Sequence, residues 1–434
     1  MTIPQLVKIG DFYTSQKNYK KAKEFYEYIL KNVKLGTYGQ LVNKNYLKIL
    51  LNLKDYKHII EYTNNPPQEY KDLFNFYRAM AYYQTKDFTR ALYLFEGITN
   101  KEYISDAKYY SAGIYFALGD YKNTIENAKL IPDKSIISQS MLAFSYLYLN
   151  DTKHFEQTAK TIINKYSNTY IAAYFSLLLD KVPDIPTHIN SIKDMSMLVD
   201  QMIKNAKPLP HDFMKKADLL EIDQLSQIAK YGDQELLQLS FDKGNFLNKS
   251  SLAYGYSTTI VLENGKFYSL ALKNSLDYMR QFLNYKQLMP YEYPLYFENI
   301  VNSCSKKYDV PQEIIYSIIH NLSKFNIYFV SEDAKFGLMG IEYSGNENLD
   351  LFDIFTPEIN IEIGTKMIKK LLDKYEGNEL KALIAYINGE SYLSSLYFEG
   401  NNDLNFTSIV IPEERYSLEN LFLTYVFYSK LYRY

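Results

Sequence analysis

Small and apolar residues recur along the first 180 residues with a spacing that predicts pairs of helices. In each segment a small or apolar residue is followed three positions later by a Tyr or Leu, and then by a polar turn. Because residues three or four apart share one face of an α-helix, each segment predicts a helix–turn–helix unit. The residues that directly follow the five turns are Tyr19, Tyr56, Phe88, Tyr121 and Thr152.

The spacing of these five residues is 37, 32, 33 and 31 positions. This pattern resembles the tetratricopeptide repeat, a helix–turn–helix unit of about 34 residues. A small residue on the first helix, such as Gly10 or Ala112, would let the second helix approach it. One unit cannot bury its apolar face alone, so the pattern predicts a stacked solenoid over residues 1–180. Such a surface would bind a peptide or protein partner.

The segment 181–290 is expected to be a helical connector. Pro183, Pro186, Pro208 and Pro210 interrupt it, and helical patterns cover 213–228, 234–241 and 270–283. The stretch 254–262 is rich in Thr, Ile and Val and precedes Asn-Gly, which is compatible with a hairpin. We interpret it instead as part of a further helical pair.

Residues 291–434 predict several short helices with clear ends. Thr356-Pro357-Glu358 has the pattern of a helix start, and Glu376-Gly377 that of a helix end. The apolar run 314–319 predicts a buried helix. The whole chain is therefore expected to be all-α.

Several stretches of this last segment resemble the catalytic domain of the soluble lytic transglycosylases, a lysozyme-like α fold that follows a long helical solenoid. They occur in the order of that family: 293–295, 310–312, 322–326, 336–341, 357–364, 385–389 and 412–415 with Asn420. Gly337-Leu338-Met339 and Asn360-Ile361 with Gly364 are the most specific. The resemblance covers 291–434 and implies peptidoglycan as the ligand.

The resemblance also implies a catalytic Glu that protonates the leaving sugar oxygen and then acts as base, which yields an anhydro product. Leu322 stands at that position, and a hydrocarbon cannot exchange a proton. The loss of general acid–base catalysis costs roughly 10²–10⁴ in rate. Gly340 stands where the family has Gln, and Ile387 where it has Asn. No catalytic residue is therefore expected to be intact.

A groove for glycan or for a partner is expected to retain seven residues that match the family motifs. They are Ser323, Phe325, Asn326, Gly337, Met339, Tyr386 and Gly389. Gly337 and Met339 are expected to preserve the fold rather than touch glycan. Glu332, Asp333 and Glu342 are the acids that a displaced catalytic role would use, although loop acids in solvent are the simpler interpretation. His320 is interpreted as a polar spacer.

Composition narrows the remaining classes of function. The chain has 434 residues with 45 Tyr, 25 Phe and no Trp, and 47 % of its residues are hydrophobic, which excludes disorder as its main state. One Cys, Cys304, excludes a disulfide framework and a Cys-based metal site. With five scattered His, neither a metal nor another cofactor is expected. The absence of any long apolar run argues against a transmembrane segment.

Charge divides unevenly along the chain. Residues 291–434 hold 12 Lys and Arg against 21 Asp and Glu, a net charge of −9, whereas residues 1–290 hold 36 against 29, a net charge of +7. The lysines form no concentrated basic patch, so a nucleic-acid partner is not expected. The acidic domain favours a protein partner over the anionic cell wall.

These observations favour a non-catalytic scaffold of the periplasm or cell envelope, which binds peptidoglycan or an envelope protein through the last domain and a partner through the repeats. One alternative is an active lytic transglycosylase that uses a displaced carboxylate. A second is a cytoplasmic adaptor. Met1–Gln5 show no basic-then-apolar signal segment, so either the protein is cytoplasmic or the numbering starts after a removed signal.

Overall fold

A computed structural model of the chain describes residues 2–132, 134–210, 213, 219–232, 236–237, 240, 251–342, 350, 352–396, 398–399 and 403–432. Contacts divide the chain into two compact units, Met1–Asp151 and Thr152–Tyr434. Each unit is described by itself. The predicted boundaries at 180 and 290 both fall inside the second unit and stay predictions.

The first unit consists of nine described α-helices. They are α1 (Ile3–Ser15), α2 (Tyr19–Asn32), α3 (Gly39–Asn52), α4 (Tyr56–Tyr62), α5 (Lys71–Gln84), α6 (Phe88–Glu96), α7 (Ile104–Ala117), α8 (Tyr121–Lys129) and α9 (Ile136–Tyr148). Each helix from α2 to α8 packs against the one before it and the one after it. This sequential packing is that of a helical solenoid.

The turns between paired helices repeat one backbone geometry. A residue in the left-handed region lies two positions before each predicted helix start, as Lys17, Lys54, Lys86, Gly119 and Asn150 do with φ between +54° and +75°. The second helices begin at Tyr19, Tyr56, Phe88, Tyr121 and Thr152. The helix starts predicted from the repeat spacing are therefore confirmed.

The small residues of the repeat are buried, and Gly10 lies where α1 and α2 come close together. A Cβ on Gly10 would stand 2.4 Å from Cε2 of Tyr26, and the side chains of Ala79, Ala112 and Ala143 are fully buried. A larger side chain would separate the two helices of the pair. Packing thus explains why these positions are small.

The second unit contains fourteen described α-helices and two short two-stranded ribbons. Before residue 290 the helices are α10 (Thr152–Lys165), α11 (Tyr170–Leu179), α12 (Ile192–Asn205), α13 (Leu219–Lys230), α14 (Leu252–Asn264), α15 (Tyr268–Asp277) and α16 (Met279–Leu283). From about residue 290 they are α17 (Met289–Glu292), α18 (Glu298–Tyr308), α19 (Gln312–Leu322), α20 (Pro357–Lys374), α21 (Glu379–Asn388), α22 (Glu390–Leu393) and α23 (Pro412–Tyr432). Antiparallel β1 (Lys335–Phe336) and β2 (Ile341–Glu342) pair with each other, as do β3 (Phe398–Glu399) and β4 (Asp403–Leu404).

Helical structure prevails in the connector. The stretch 254–262 lies inside the continuous helix α14, so it is not a hairpin. Much of the predicted helices over 213–228 and 234–241 falls outside the described residues. The chain is all-α, as predicted.

The last helix holds the second unit together. On α23, Nε of Arg415 donates to Oε1 of Glu419 over 2.8 Å, and a second guanidinium nitrogen donates to the backbone oxygen of Ile189 over 3.2 Å. The hydroxyl of Tyr170 donates to the other oxygen of Glu419. Residues of α11 and of the segment before α12 are thereby tied to the C-terminal helix. Among the described residues, no helix combines the length and the apolar character needed to cross a membrane.

Candidate functional site: the C-terminal helices around Leu322 and Gly340

Leu322 is the last residue of α19 and is half-buried. The helix lies in the core because residues 314–319 are all buried along it. It ends where the Ser323 hydroxyl donates to the backbone oxygen of Ile319 over 3.1 Å, which occupies this predicted groove residue. Lys324 and Phe325 then take left-handed φ values of +50° and +60°, and the chain turns sharply.

Gly340 lies directly beside Leu322. Its φ is +61°, and a Cβ built on it would stand 3.0 Å from Cδ1 of Leu322 and 3.6 Å from Cβ of Lys335. Leu322 and Gly340, two positions at which the sequence predicts a departure from the family pattern, are therefore neighbours in space. The space beside Gly340 is bordered by the side chain of Leu322 and by the aliphatic stem of Lys335.

Asn360 of α20 holds the turn that carries Gly337 and Met339. Its side chain is fully buried and accepts from the backbone N–H of Met339 over 2.7 Å. It also donates to the backbone oxygens of Phe336 and Ile354, over 3.0 and 2.8 Å. Gly337 has φ +72°, and a Cβ there would stand 2.1 Å from Nδ2 of Asn360. The position therefore requires a glycine.

Met339 joins the two most specific motifs to each other. Its side chain is fully buried, and a Cβ on Gly364 would stand 2.5 Å from its sulfur. The hydroxyl of Tyr386 donates to the backbone oxygen of Met339 over 2.8 Å. Burial raises the pKa of Tyr386, whose exposed fraction is 8 %. Met339 and Tyr386 contact the protein interior and support the fold.

The end of α21 carries the third departure from the family pattern. Ile387 is half-buried, and Asn388 ends the helix in solvent. Gly389 follows with φ +90°, and a Cβ there would meet no atom within 4 Å. Gly389 thus serves the chain turn rather than a close contact.

The acids considered for a displaced catalytic role lie in water. Glu332, Asp333 and Glu342 are all exposed. A general acid that works near neutral pH usually needs a buried carboxyl. These three side chains lack that burial.

Glu292 is a buried acid that the sequence interpretation missed. It is fully buried, and neither of its carboxylate oxygens has a hydrogen-bond partner among the residues that the structure describes. Burial, with a smaller effect from Asp277, raises its pKa well above the usual value. The position of Glu292 just before the Tyr293-Pro294 motif gives no sign of burial, so only the three-dimensional structure could reveal it.

His320 contacts the backbone of Glu292. Its Nε2 lies 3.1 Å from the backbone oxygen of Glu292, and its ring stacks on Tyr293. Burial lowers the pKa of His320 to about 4. The imidazole is therefore neutral at pH 7, with Nε2–H as the donor. Cys304 is also buried, and burial raises the pKa of its thiol.

Phe325 and Asn326 line a pocket of about 530 Å³ that none of the other five predicted groove residues lines. The pocket also involves residues 265–270, Phe297 and Tyr328. The predicted groove residues thus divide into this pair, a buried set formed by Gly337, Met339 and Tyr386, and two residues at helix ends, Ser323 and Gly389. Among the described residues, no group of three His, Cys, Asp or Glu side chains could hold a metal ion.

Comparisons with known proteins identify what this arrangement is similar to. The family model "Transglycosylase SLT domain" matches residues 299–401. Membrane-bound lytic murein transglycosylase E of Buchnera aphidicola subsp. Baizongia pistaciae is 33 % identical over 112 residues, which cover 22 % of this chain and 53 % of that protein. The chain therefore spans about half the length of this curated relative.

Two solved structures are similar over nearly the whole chain. An inactive mutant of the lytic transglycosylase Slt from Pseudomonas aeruginosa, with Gln in place of a Glu, matches with a TM-score of 0.56 and 13 % identity over 99 % of this chain and 73 % of that one. The 70 kDa soluble lytic transglycosylase of Escherichia coli aligns at 11 % identity over 98 % of this chain and 96 % of that one, with a TM-score of 0.31, which is too low to indicate a shared fold. At such identities the likeness to Slt concerns the fold alone. Residues 299–401 are thus similar to the transglycosylase SLT domain, within an all-α chain whose fold resembles that of a lytic transglycosylase.

Proposed function

We propose that this chain is a non-catalytic member of the cell envelope that binds peptidoglycan, or an envelope protein, through its lytic-transglycosylase-like domain. The solenoid of helical repeats, in this proposal, binds a peptide or protein partner. The domains would be the repeats over 1–180, the connector over 181–290 and the degenerate transglycosylase-like domain over 291–434. We include peptidoglycan because the relative that is 33 % identical is named a lytic murein transglycosylase, and murein is another word for peptidoglycan.

The observation that carries the proposal is the contact between Leu322 and Gly340. A general acid must hold a proton within hydrogen-bond reach of the leaving oxygen. In this proposal Leu322 stands at the position of that acid, and the atoms nearest to Gly340 are hydrocarbon atoms of Leu322 and of the Lys335 stem. The name of the Pseudomonas structure supports the importance of one carboxyl, since replacing a Glu by Gln made that enzyme inactive.

Retention of the supporting framework argues for a binding role. Asn360, Met339, Gly364 and Tyr386 keep the contacts that hold the turn before Gly340. A domain with this framework can still present a surface to glycan or protein. Function resides in the site rather than in the fold, so a hydrocarbon at position 322 supports a role without turnover.

The test is incubation of the purified full chain with peptidoglycan sacculi, followed by mass spectrometry of the soluble fraction. We expect no anhydro-muropeptides, beside a lytic transglycosylase that produces them under the same conditions. Cosedimentation with the sacculi, or capture of an envelope protein, is the expected binding result.

Release of anhydro-muropeptides by the natural chain would overturn the proposal in favour of the enzyme alternative. Loss of that release in Glu332→Gln would then identify the displaced carboxylate. Asp373→Asn, at an exposed acid of α20 whose partner is Lys369, is the matched control. Its activity should equal that of the natural chain.

A further inference from the structure

A pocket lies within the second unit where the turn between α14 and α15 faces the loop that follows α19. Residues 265–270 form one wall, and Phe297, residues 325–328 and Pro357 form the other. Its volume of about 530 Å³ lies in the range of small-molecule sites, roughly 300–1,000 Å³. Leu322, Gly340 and Tyr386 do not line it. The pocket is therefore distinct from the place of the missing acid.

Aromatic rings dominate the walls of this pocket. They are Phe267, Tyr268, Phe297, Phe325 and Tyr328. The Tyr268 ring stacks on Tyr296 with centroids 4.3 Å apart, and Phe325 meets the same Tyr296 edge-on at 5.1 Å. These contacts hold two walls rigidly. The Tyr328 ring meets Phe355 with centroids 6.0 Å apart, yet the residue is 70 % exposed, so a large part of its surface is accessible to a ligand.

The same pocket carries polar groups that the protein itself does not use. In the part of the chain that the structure describes, the side chains of Lys266, Tyr268, Ser269 and Tyr328 have no hydrogen-bond partner. Asn326 accepts from the backbone N–H of Tyr328 over 3.0 Å, and its amide NH₂ is left to donate. No acidic residue belongs to the lining, and Lys266 supplies one positive charge.

We propose that this pocket binds one or two pyranose rings of a glycan, either neutral or bearing a carboxylate. A sugar ring has C–H faces that pack on aromatic rings and hydroxyl edges that need hydrogen-bond partners. The lining offers both, whereas a purely apolar occupant would leave its polar groups unpaired at a cost in free energy. The inference rests on the proposed function, and it places glycan binding at the pocket rather than beside Leu322.

The experiment measures binding of two sugars to the full chain by calorimetry and by saturation-transfer NMR. The neutral probe is the trimer of N-acetylglucosamine, and the acidic probe is N-acetylmuramic acid. We expect Tyr328→Ala to weaken binding of the trimer about 3- to 10-fold, the range for one aromatic contact. Asn326→Ala should weaken it as well. Tyr93→Ala, at a 79 % exposed tyrosine of the solenoid, is the matched control and should bind unchanged.

A substitution of Lys266 tests the role of the positive charge in the pocket. Lys266→Gln should weaken binding of N-acetylmuramic acid and leave binding of the neutral trimer unchanged, since only the acidic sugar pairs with the ammonium group. An equal effect on both sugars, or on neither, would overturn the assignment of Lys266.

Several results would overturn the assignment of this pocket to a glycan. Failure of the natural chain to bind either sugar would do so, and cosedimentation with sacculi would then show whether the proposed function survives. If Leu322→Ala weakens binding of the trimer more than Tyr328→Ala does, the glycan binds beside Leu322 and not in this pocket. Binding of p-cresol without binding of either sugar would assign the pocket to an aromatic side chain of a protein partner.

Discussion

Cδ1 of Leu322 lies 3.0 Å from the point where a Cβ on Gly340 would stand. Gly340 has φ +61°, a conformation that side-chain-bearing residues rarely adopt. The absence of a side chain at 340 and the hydrocarbon at 322 are therefore two halves of one packing arrangement. A substitution at one of these two positions therefore changes the packing at the other.

Gly340→Ala should lower the free energy of unfolding by more than its backbone strain accounts for. Left-handed backbone costs an L-residue about 1–2 kcal/mol, and contact with Leu322 adds to that cost. In a Leu322→Ala background the contact is gone, so the cost of Gly340→Ala should fall by about 0.5–1 kcal/mol. Urea unfolding of the four proteins measures this cycle.

Gly377 supplies the control for this measurement. It has φ +80°, and a Cβ there would meet no atom within 4 Å. Gly377→Ala should therefore report strain alone, with the same cost in both backgrounds. Equal costs for Gly340→Ala with and without Leu322 would contradict the packing relationship.

Leu322→Glu should not create an active enzyme. The new carboxyl would lie beside the stem of Lys335, whose Cδ is 3.9 Å from the Cβ position of Gly340. The ammonium group follows two bonds beyond Cδ, and a nearby cation favours the ionised carboxylate over the protonated acid. Release of anhydro-muropeptides from sacculi should equal that of Leu322→Gln. Product from the Glu variant alone would show that the acid was the single missing part.

Asn360→Ala should destabilise the domain strongly. The substitution removes three hydrogen bonds and leaves the buried N–H of Met339, the buried carbonyl of Ile354 and the partly buried carbonyl of Phe336 without this partner. Each unsatisfied buried group costs about 1–3 kcal/mol, so we expect a loss of at least about 3 kcal/mol in chemical unfolding. Asn388→Ala, at an exposed helix end, should change the free energy of unfolding by less than about 0.5 kcal/mol. A similar small effect at Asn360 would contradict the role of its side chain.

Features that depend on spacing along the chain could be predicted from the sequence. Tyr19, Tyr56, Phe88, Tyr121 and Thr152 each begin a helix, because the small residues and turn residues recur locally. The motif around Met339 and Asn360 was likewise recognisable, since its members pack on one another.

Features that depend on contacts between distant segments could not be predicted. The chain turns sharply after α19, where Lys324 and Phe325 take left-handed φ values. Phe325 and Asn326 consequently line a pocket with residues 265–270 instead of the predicted groove. Glu292 is buried by the packing of helices far apart in the chain. No local sequence pattern predicts the place of Phe325 and Asn326 or the burial of Glu292.

The burial of Glu292 should make the free energy of unfolding fall as the pH rises. Its pKa in the folded chain is raised above that in the unfolded chain. The folded state therefore keeps a proton that the unfolded state releases above about pH 4.3. The stability from this group is present below that pH and is lost as the pH rises toward the folded pKa.

Glu292→Gln removes this titration. The free energy of unfolding of the variant, relative to the natural chain, should increase steadily from pH 4 to pH 8. Glu413→Gln, at an exposed acid in the first turn of α23, is the control and should show no such trend. A pH-independent difference at Glu292 would mean that its carboxyl is hydrated in solution.

His320 should produce the opposite pH dependence. Its pKa is lowered to about 4 in the folded chain, against about 6.5 when unfolded. The unfolded chain therefore binds this proton first, and stability is full above pH 6.5 and lost as the pH falls toward 4. The difference between the two pKa values corresponds to about 3 kcal/mol.

His320→Gln keeps a side-chain donor for the backbone oxygen of Glu292 and removes the imidazole titration. Between pH 7 and pH 4, the natural chain should lose about 3 kcal/mol more of its free energy of unfolding than this variant loses. His154→Gln, at an exposed position of α10, is the control and should follow the natural chain. An NMR titration of the His320 ring with a midpoint near 6.5 would show instead that the imidazole is open to water. The stacking on Tyr293 would then not hold in solution.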